Sequence, residues 1–169
     1  MQTFPESMIE YRQQLQKGVI QQAYRGLMDY MHSLRAYFQK NYPEYEVPGN
    51  LYFGYMDMTY FAIFPQELKQ RKLKVAIVFL HEAFRFETWL SGANRQVQVD
   101  YSNLIREKGW NKFKLTANPK ASDSILEHIL VAEPDFRDFD SLTKELECGT
   151  VKFISDLQKF FHDHEDLVK

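Results

Sequence analysis

The chain has 169 residues and a formal charge of −2, from 21 basic and 23 acidic side chains. That length suits one compact domain over residues 1–169, able to bury a core without disulfides or metal. The charge balance excludes the global basic field that holds nucleic acid non-specifically.

The first element is helical. Phe4-Pro5-Glu6-Ser7 places Pro and an acid in a first turn, where both are favoured, and a short helix runs from about Ser7 to Gln16 with Met8, Ile9 and Leu15. Gly18 offers a break. A longer helix, Val19 to Gln39, carries Ile20, Tyr24, Leu27, Met28, Met31, Leu34 and Phe38 on one stripe. Its opposite face carries Gln22, Arg25, Asp29 and Arg35, and Asn41-Tyr42-Pro43 ends it. Pro48-Gly49-Asn50 makes a turn.

Three runs dense in aromatic and β-branched residues follow. The first strand is expected from Leu51 to Phe64. Both of its alternating sets are apolar, so it is covered on both faces or bent at Gly54. Pro65 stops it, and Gln66 to Lys72 is a short basic connection. Leu73–Leu80 and Ala83–Leu90 are the next strands, paired as a hairpin around His81-Glu82. In the latter, Phe84, Phe86, Thr88 and Leu90 share one face, and Arg85, Glu87 and Trp89 the other.

After Ser91-Gly92, the spacing of Val97, Tyr101, Leu104, Ile105 and Lys108 predicts a helix closed by Gly109. Lys112 to Thr116 adds a short strand. Ser122-Asp123 is expected to cap a helix carrying Ile125, Leu126, Ile129 and Leu130, ended by Pro134. The last helix begins near Asp140 and buries Leu142, Leu146, Phe153, Leu157, Phe160 and Phe161, with Gly149 as a point of division. The tail HDHEDLVK is charged and expected to fray. QLQKGVIQQAYRGL and ELECGTVKFISDL both place Gly at a helix–helix joint. One echo of about a dozen positions is two similar joints, and repeat arrays need several copies.

The expected architecture is α+β: an antiparallel sheet of three or four strands packed by the long N- and C-terminal helices and by the helix after Arg95. Leu27, Met31, Ile77, Phe79, Phe86 and Leu104 are expected in one core. Cys148, the only cysteine, rules out an intramolecular disulfide and a Cys-rich zinc site and reads as a small core residue. The segment MQTFPESMIEYRQQ lacks the apolar stretch of a signal peptide, and no apolar run reaches the roughly eighteen residues of a membrane span. A cytoplasmic location is expected.

The runs YFGYMDMTYFAIFP, LKVAIVF, FRFETWLSGANRQVQ and ILEHILV, the last followed by Pro134-Asp135-Phe136, carry a resemblance as a set. The chain resembles an uncharacterised family of small bacterial proteins classed as a domain of unknown function. The resemblance spans nearly the whole chain, from the joint at Gln16–Gly18 to the final helix. It implies a single compact domain and carries no activity, cofactor or catalytic residue.

Candidate site residues lie in the central stretch. Asp57 is a carboxylate in an aromatic strand, costly if buried without partners; pairing with Arg85, Lys74 or Arg95 is the plainer reading. Arg85, Glu87 and Trp89 form either a solvated sheet face or the floor of a pocket where Trp89 stacks a planar ligand and Arg85 grips a carboxylate or phosphate. Ser91 to Arg95 starts a helix, where Asn94, Arg95 and free amides favour an anion. Tyr52, Tyr55 and Tyr60 are candidate pocket walls.

No P-loop, dinucleotide fingerprint or GxSxG nucleophile motif occurs. His32, His81, His128, His162 and His164 lack zinc spacing. Glu67-Leu68-Lys69 sits outside a strand, and Trp89 stands where the (Asp/Glu)-x-Lys pattern after Glu87 needs Lys, so a metal nuclease is a poor match. These residues point first to a small soluble module that binds an anionic ligand or a protein partner, with Asp57, Arg85, Glu87, Trp89, Asn94, Arg95 and Tyr55 as its candidate site. No metal, other cofactor, nucleic acid or membrane is expected, and the amphipathic terminal helices leave room for a homodimer. The alternative is an enzyme acting on a phosphate- or carboxylate-bearing substrate through Asp57, Arg85 and Glu87. Convergence of these side chains in one concavity separates the two.

Overall fold

The computed structural model describes residues 2–164. The expected fraying of the tail falls largely on residues 165–169, which lie outside them. The elements run α1 (Phe4–Gln16), α2 (Val19–Asn41), β1 (Tyr45–Glu46), β2 (Met58–Pro65), α3 (Gln66–Gln70), β3 (Leu73–Leu80), β4 (Arg85–Gly92), α4 (Arg95–Glu107), β5 (Lys114–Leu115), β6 (Leu126–Val131) and α5 (Phe139–His162). The fold is the expected α+β single domain, but its antiparallel sheet has six strands in the order β1-β2-β3-β4-β6-β5.

α1 begins earlier than the sequence suggests because Thr3 caps it. The Thr3 backbone N–H and hydroxyl both donate to the Glu6 carboxylate, at 2.7 and 2.9 Å. α2 buries Met28, Met31, Leu34 and Phe38, the C-terminal part of its apolar stripe, and with them Tyr30. It is tied to α5 through Glu147, which accepts from the Tyr37 and Tyr42 hydroxyls at 2.9 and 2.7 Å. α5 is unbroken at Gly149. A Cβ there would come within 2.6 Å of a Leu130 methyl, so the glycine permits close approach of β6 and does not divide the helix. Cys148 is exposed on α5 and not part of the core.

Two segments differ from expectation. Residues 51–57 are not strand: Gly54 and Met56 take positive φ, the chain turns back, and Tyr52 pairs with Tyr60 through an isolated antiparallel bridge. The aromatic residues that mimic a strand here form a flap beside the edge of β2. Residues 126–131 form β6 and not a helix. Their apolar spacing is helical, and the free edge of β4 overrides it, since unpaired strand amides and carbonyls are costly to leave open.

Register fixes two sheet faces. Thr59–Phe79–Phe86, Phe61–Ile77–Thr88 and Ile63–Val75–Leu90 align across β2, β3 and β4 and point to the helices. Phe61, Ile63, Val75, Ile77, Phe79, Phe86 and Leu90 form one core with Met31, Leu34 and Phe38 of α2, Tyr101 and Ile105 of α4, and Leu146, Phe153 and Leu157 of α5. Leu27 and Leu104 pack on its margin, partly buried. Every long helix that packs on the sheet therefore lies on one side. Ile77 is fully buried at the centre of this core, so Ile77→Ala is expected to lower unfolding free energy by about 2–5 kcal/mol in a denaturant melt.

Candidate functional site

The other sheet face carries Met58, Tyr60 and Ala62 of β2, Lys74, Ala76, Val78 and Leu80 of β3, Arg85, Glu87, Trp89 and Ser91 of β4, and Glu127 and Ile129 of β6. No helix covers it. Its small residues are nevertheless buried, Val78 and Ala76 among them, because taller side chains stand on both sides.

Glu87 is the deepest polar group on this face, with its side chain 4% exposed. Arg85 donates to one carboxylate oxygen from Nε and Nη2, at 2.7 and 2.6 Å, and the Trp89 indole N–H donates to the other at 2.6 Å. Alternation places residues 85, 87 and 89 on one side of β4, so the three side chains meet over the strand. The clamp fixes the indole plane of Trp89. Directly across, Glu127 pairs with Lys114 and accepts from Ser124 Oγ; this pairing raises the Lys114 pKa.

Beside the clamp lies a groove of about 350 Å³. Ala76 forms its floor, Tyr60 and Trp89 stand on either side, and Lys74, Ser91 and the start of α4 close one end. Tyr52 stacks on Tyr60 with ring centroids 4.9 Å apart, and burial raises the Tyr60 pKa, with Tyr52 and Asp123 adding to it. The Lys74 ammonium lies over the Tyr60 ring at 5.9 Å, and among the described residues no carboxylate pairs with it. The α4 end is held rigidly. Asn94 caps the helix by accepting from the Val97 amide. Gln98, 3% exposed, accepts from the Gly92 amide and donates to the Ser122 carbonyl. Arg95 donates to the same carbonyl and sits 3.5 Å from Asp123.

Of the seven candidate residues, Trp89, Asn94 and Arg95 line this groove. Arg85 and Glu87 stand next to it, spent on each other and on Trp89. Asp57 and Tyr55 are elsewhere. Asp57 is one residue before β2, where strand parity sends it to the side of Thr59 and away from Arg85. Its carboxylate turns back to accept from the Tyr55 amide at 2.9 Å, and the amides of Met58 and Tyr55 hold its pKa below the usual carboxylate value. Tyr55 is 96% exposed at the tip of the flap. The structure thus does not assemble Asp57 with Arg85 and Glu87.

Sequence reasoning missed Lys74 as a groove residue, although it is the only charge within an apolar strand and shares parity with Ala76. It also missed His81, which bonds Thr59 at 2.9 Å, stacks with Tyr24 and has its pKa lowered by burial. Among the described residues no group of three or more His, Cys, Asp or Glu could hold a metal ion, and no helix is long and apolar enough to cross a membrane.

The fold and the groove define a two-layer α+β domain with helices on one face and a furrowed, partly polar sheet surface on the other. The chain belongs to the family described as Domain of unknown function (DUF7000), whose model matches residues 4–161. No curated protein and no solved structure matches it. Because Arg85 satisfies a buried carboxylate, Arg85→Ala is expected to destabilise the fold by about 1–3 kcal/mol. That is less than a fully buried pair would show, since Arg85 is 35% exposed. A melt of Arg85→Ala beside Arg85→Lys checks it.

Proposed function

We propose that the chain is a small binding module whose uncovered sheet face takes a planar molecule bearing a phosphate or carboxylate. The observation that carries this reading is the convergence in one groove of two aromatic walls, Tyr60 and Trp89, with the ammonium of Lys74, which no carboxylate among the described residues pairs, and the start of α4. Aromatic faces and a nearby cation suit a flat anion, and helix-start amides favour negative charge. The groove's volume lies at the lower end of the range for small-molecule sites. Arg95 contributes less charge than its position suggests, because Asp123 offsets it. Neither nucleic acid nor membrane enters this reading.

The same reading places the module in the cytoplasm of a bacterial cell. The resemblance to small bacterial proteins supports this, as does the exposed single thiol of Cys148, which suits a reducing compartment.

Adenosine monophosphate and 4-nitrobenzoate serve as probes. In ¹H–¹⁵N NMR titrations of the full chain, at least one is expected to shift resonances of Lys74, Trp89 and Asn94 together. Lys74→Ala should weaken that binding about tenfold or more, roughly 1.4 kcal/mol, with the melting curve unchanged. Shifts that fall outside the groove, or an Ala variant that binds as well as the parent, would remove the assignment.

A further inference from the structure

Two apolar surfaces have no partner among the described residues, and they match each other. The first is α1. It is a capped helix with no buried residue, although Phe4, Met8, Tyr11 and Leu15 recur at i, i+4, i+7 and i+11 and therefore form one stripe. Phe4 is 77% exposed, Tyr11 55% and Met8 45%, with Ile9 at the flank 60% exposed. Isolated helices of this length are marginal in water and depend on packing an apolar face.

The second is a groove of about 390 Å³ between the first turns of α2 and the β3–β4 turn, on the helix side of the sheet. Ala23, Tyr24 and Leu27 line one wall and Phe84, Phe136 and Phe139 the other; none of the lining comes from α1. Phe84 and Met56 both take left-handed backbone conformations, φ +52° and +62°, which bulky residues adopt only under constraint. Both remain half-exposed at the rim.

We propose that the occupant of this groove is α1 of a second copy of the chain, exchanged reciprocally in a two-fold symmetric dimer. Only Lys17 and Gly18 separate α1 from α2, so the helix to be donated and the groove to be filled adjoin the same joint. A two-fold axis beside that joint lets each α1 fill the other copy's groove, and such an isologous contact closes without leaving a free surface. The area suffices. Phe4, Met8, Ile9 and Tyr11 on α1, with Val19, Met56, Phe84 and Phe139 at and beside the groove, each have on the order of 100 Å² to bury. Together they reach about 800 Å² per chain, half of a standard interface. The groove of the proposed ligand lies on the opposite sheet face, so this inference stands apart from that reading.

Sedimentation equilibrium of the full chain is expected to give twice the 20.2 kDa chain mass. Met8→Asp on the stripe and Ala23→Glu in the groove, both at exposed positions, should each raise the dimer dissociation constant at least tenfold while far-UV CD melts retain the same fold. A second measurement identifies the occupant. In a Cys148→Ser background, Met8→Cys and Ala23→Cys are introduced together and treated with a short bis-maleimide. A covalent dimer supports exchange. An intrachain cross-link would show that each chain's own α1 folds back into the groove, and this overturns the proposal. A parent chain that stays monomeric at high concentration overturns it too, as does a dimer indifferent to both charge substitutions.

Discussion

Glu87 is a buried carboxylate on the sheet face that no helix among the described residues covers, and the architecture of that face depends on how it is satisfied. An ionised carboxylate out of water without partners is unstable by several kcal/mol. Two residues of the same strand, each two positions away, supply three donors. Their cost is freedom: Arg85 is drawn down onto the strand, and Trp89 is held by its indole N–H in one plane. A tryptophan so fixed shelters Ala76 and forms a groove wall without a second layer behind it. Charge-assisted bonds thus do on this face what helix packing does on the other.

The two grooves occupy opposite faces and opposite ends of β3. Lys74 and Ala76 serve the polar one, Phe79 and the adjoining His81 the apolar one. Alternation along one strand delivers both chemistries. Between them runs the central pairing of β2, β3 and β4, whose core side is closed by α2, α4 and α5. This slab is the rigid part of the molecule. What lies outside it, α1 and the 51–57 flap, carries a large share of the exposed apolar side chains, from Phe4 to Met56.

The legible parts of the fold were those where a single period dominates. The stripe of α2 and the hairpin of β3 and β4 repeat cleanly at 3.6 or 2 residues, and the alternation of Arg85, Glu87 and Trp89 was readable for the same reason. Residues 122–131 were not, because Ile125, Leu126, Ile129 and Leu130 fall at helical spacing, and so short a run gives way to the open edge of β4. The flap misled by composition: Tyr52, Phe53 and Tyr55 have strand character, but Gly54 and Met56 take conformations that reverse the chain. Cys148 was assigned to the core from its size, while its place on the outer side of α5 depends on helix phase.

By itself the sequence determined one α+β domain, its central antiparallel hairpin, and the sharing of one face by Arg85, Glu87 and Trp89. These follow from local periodicity and from side-chain volume, which each segment carries within itself. Only the tertiary structure decided that Glu87 is buried and clamped, that Asp57 is spent on its own turn, that Lys74 lines one groove with Trp89 and Asn94, and that α1 packs no side chain into the core. Those outcomes depend on strand order, on register between distant segments and on which sheet face the helices choose. Each is set by the summed burial of the whole chain and not by any stretch of it.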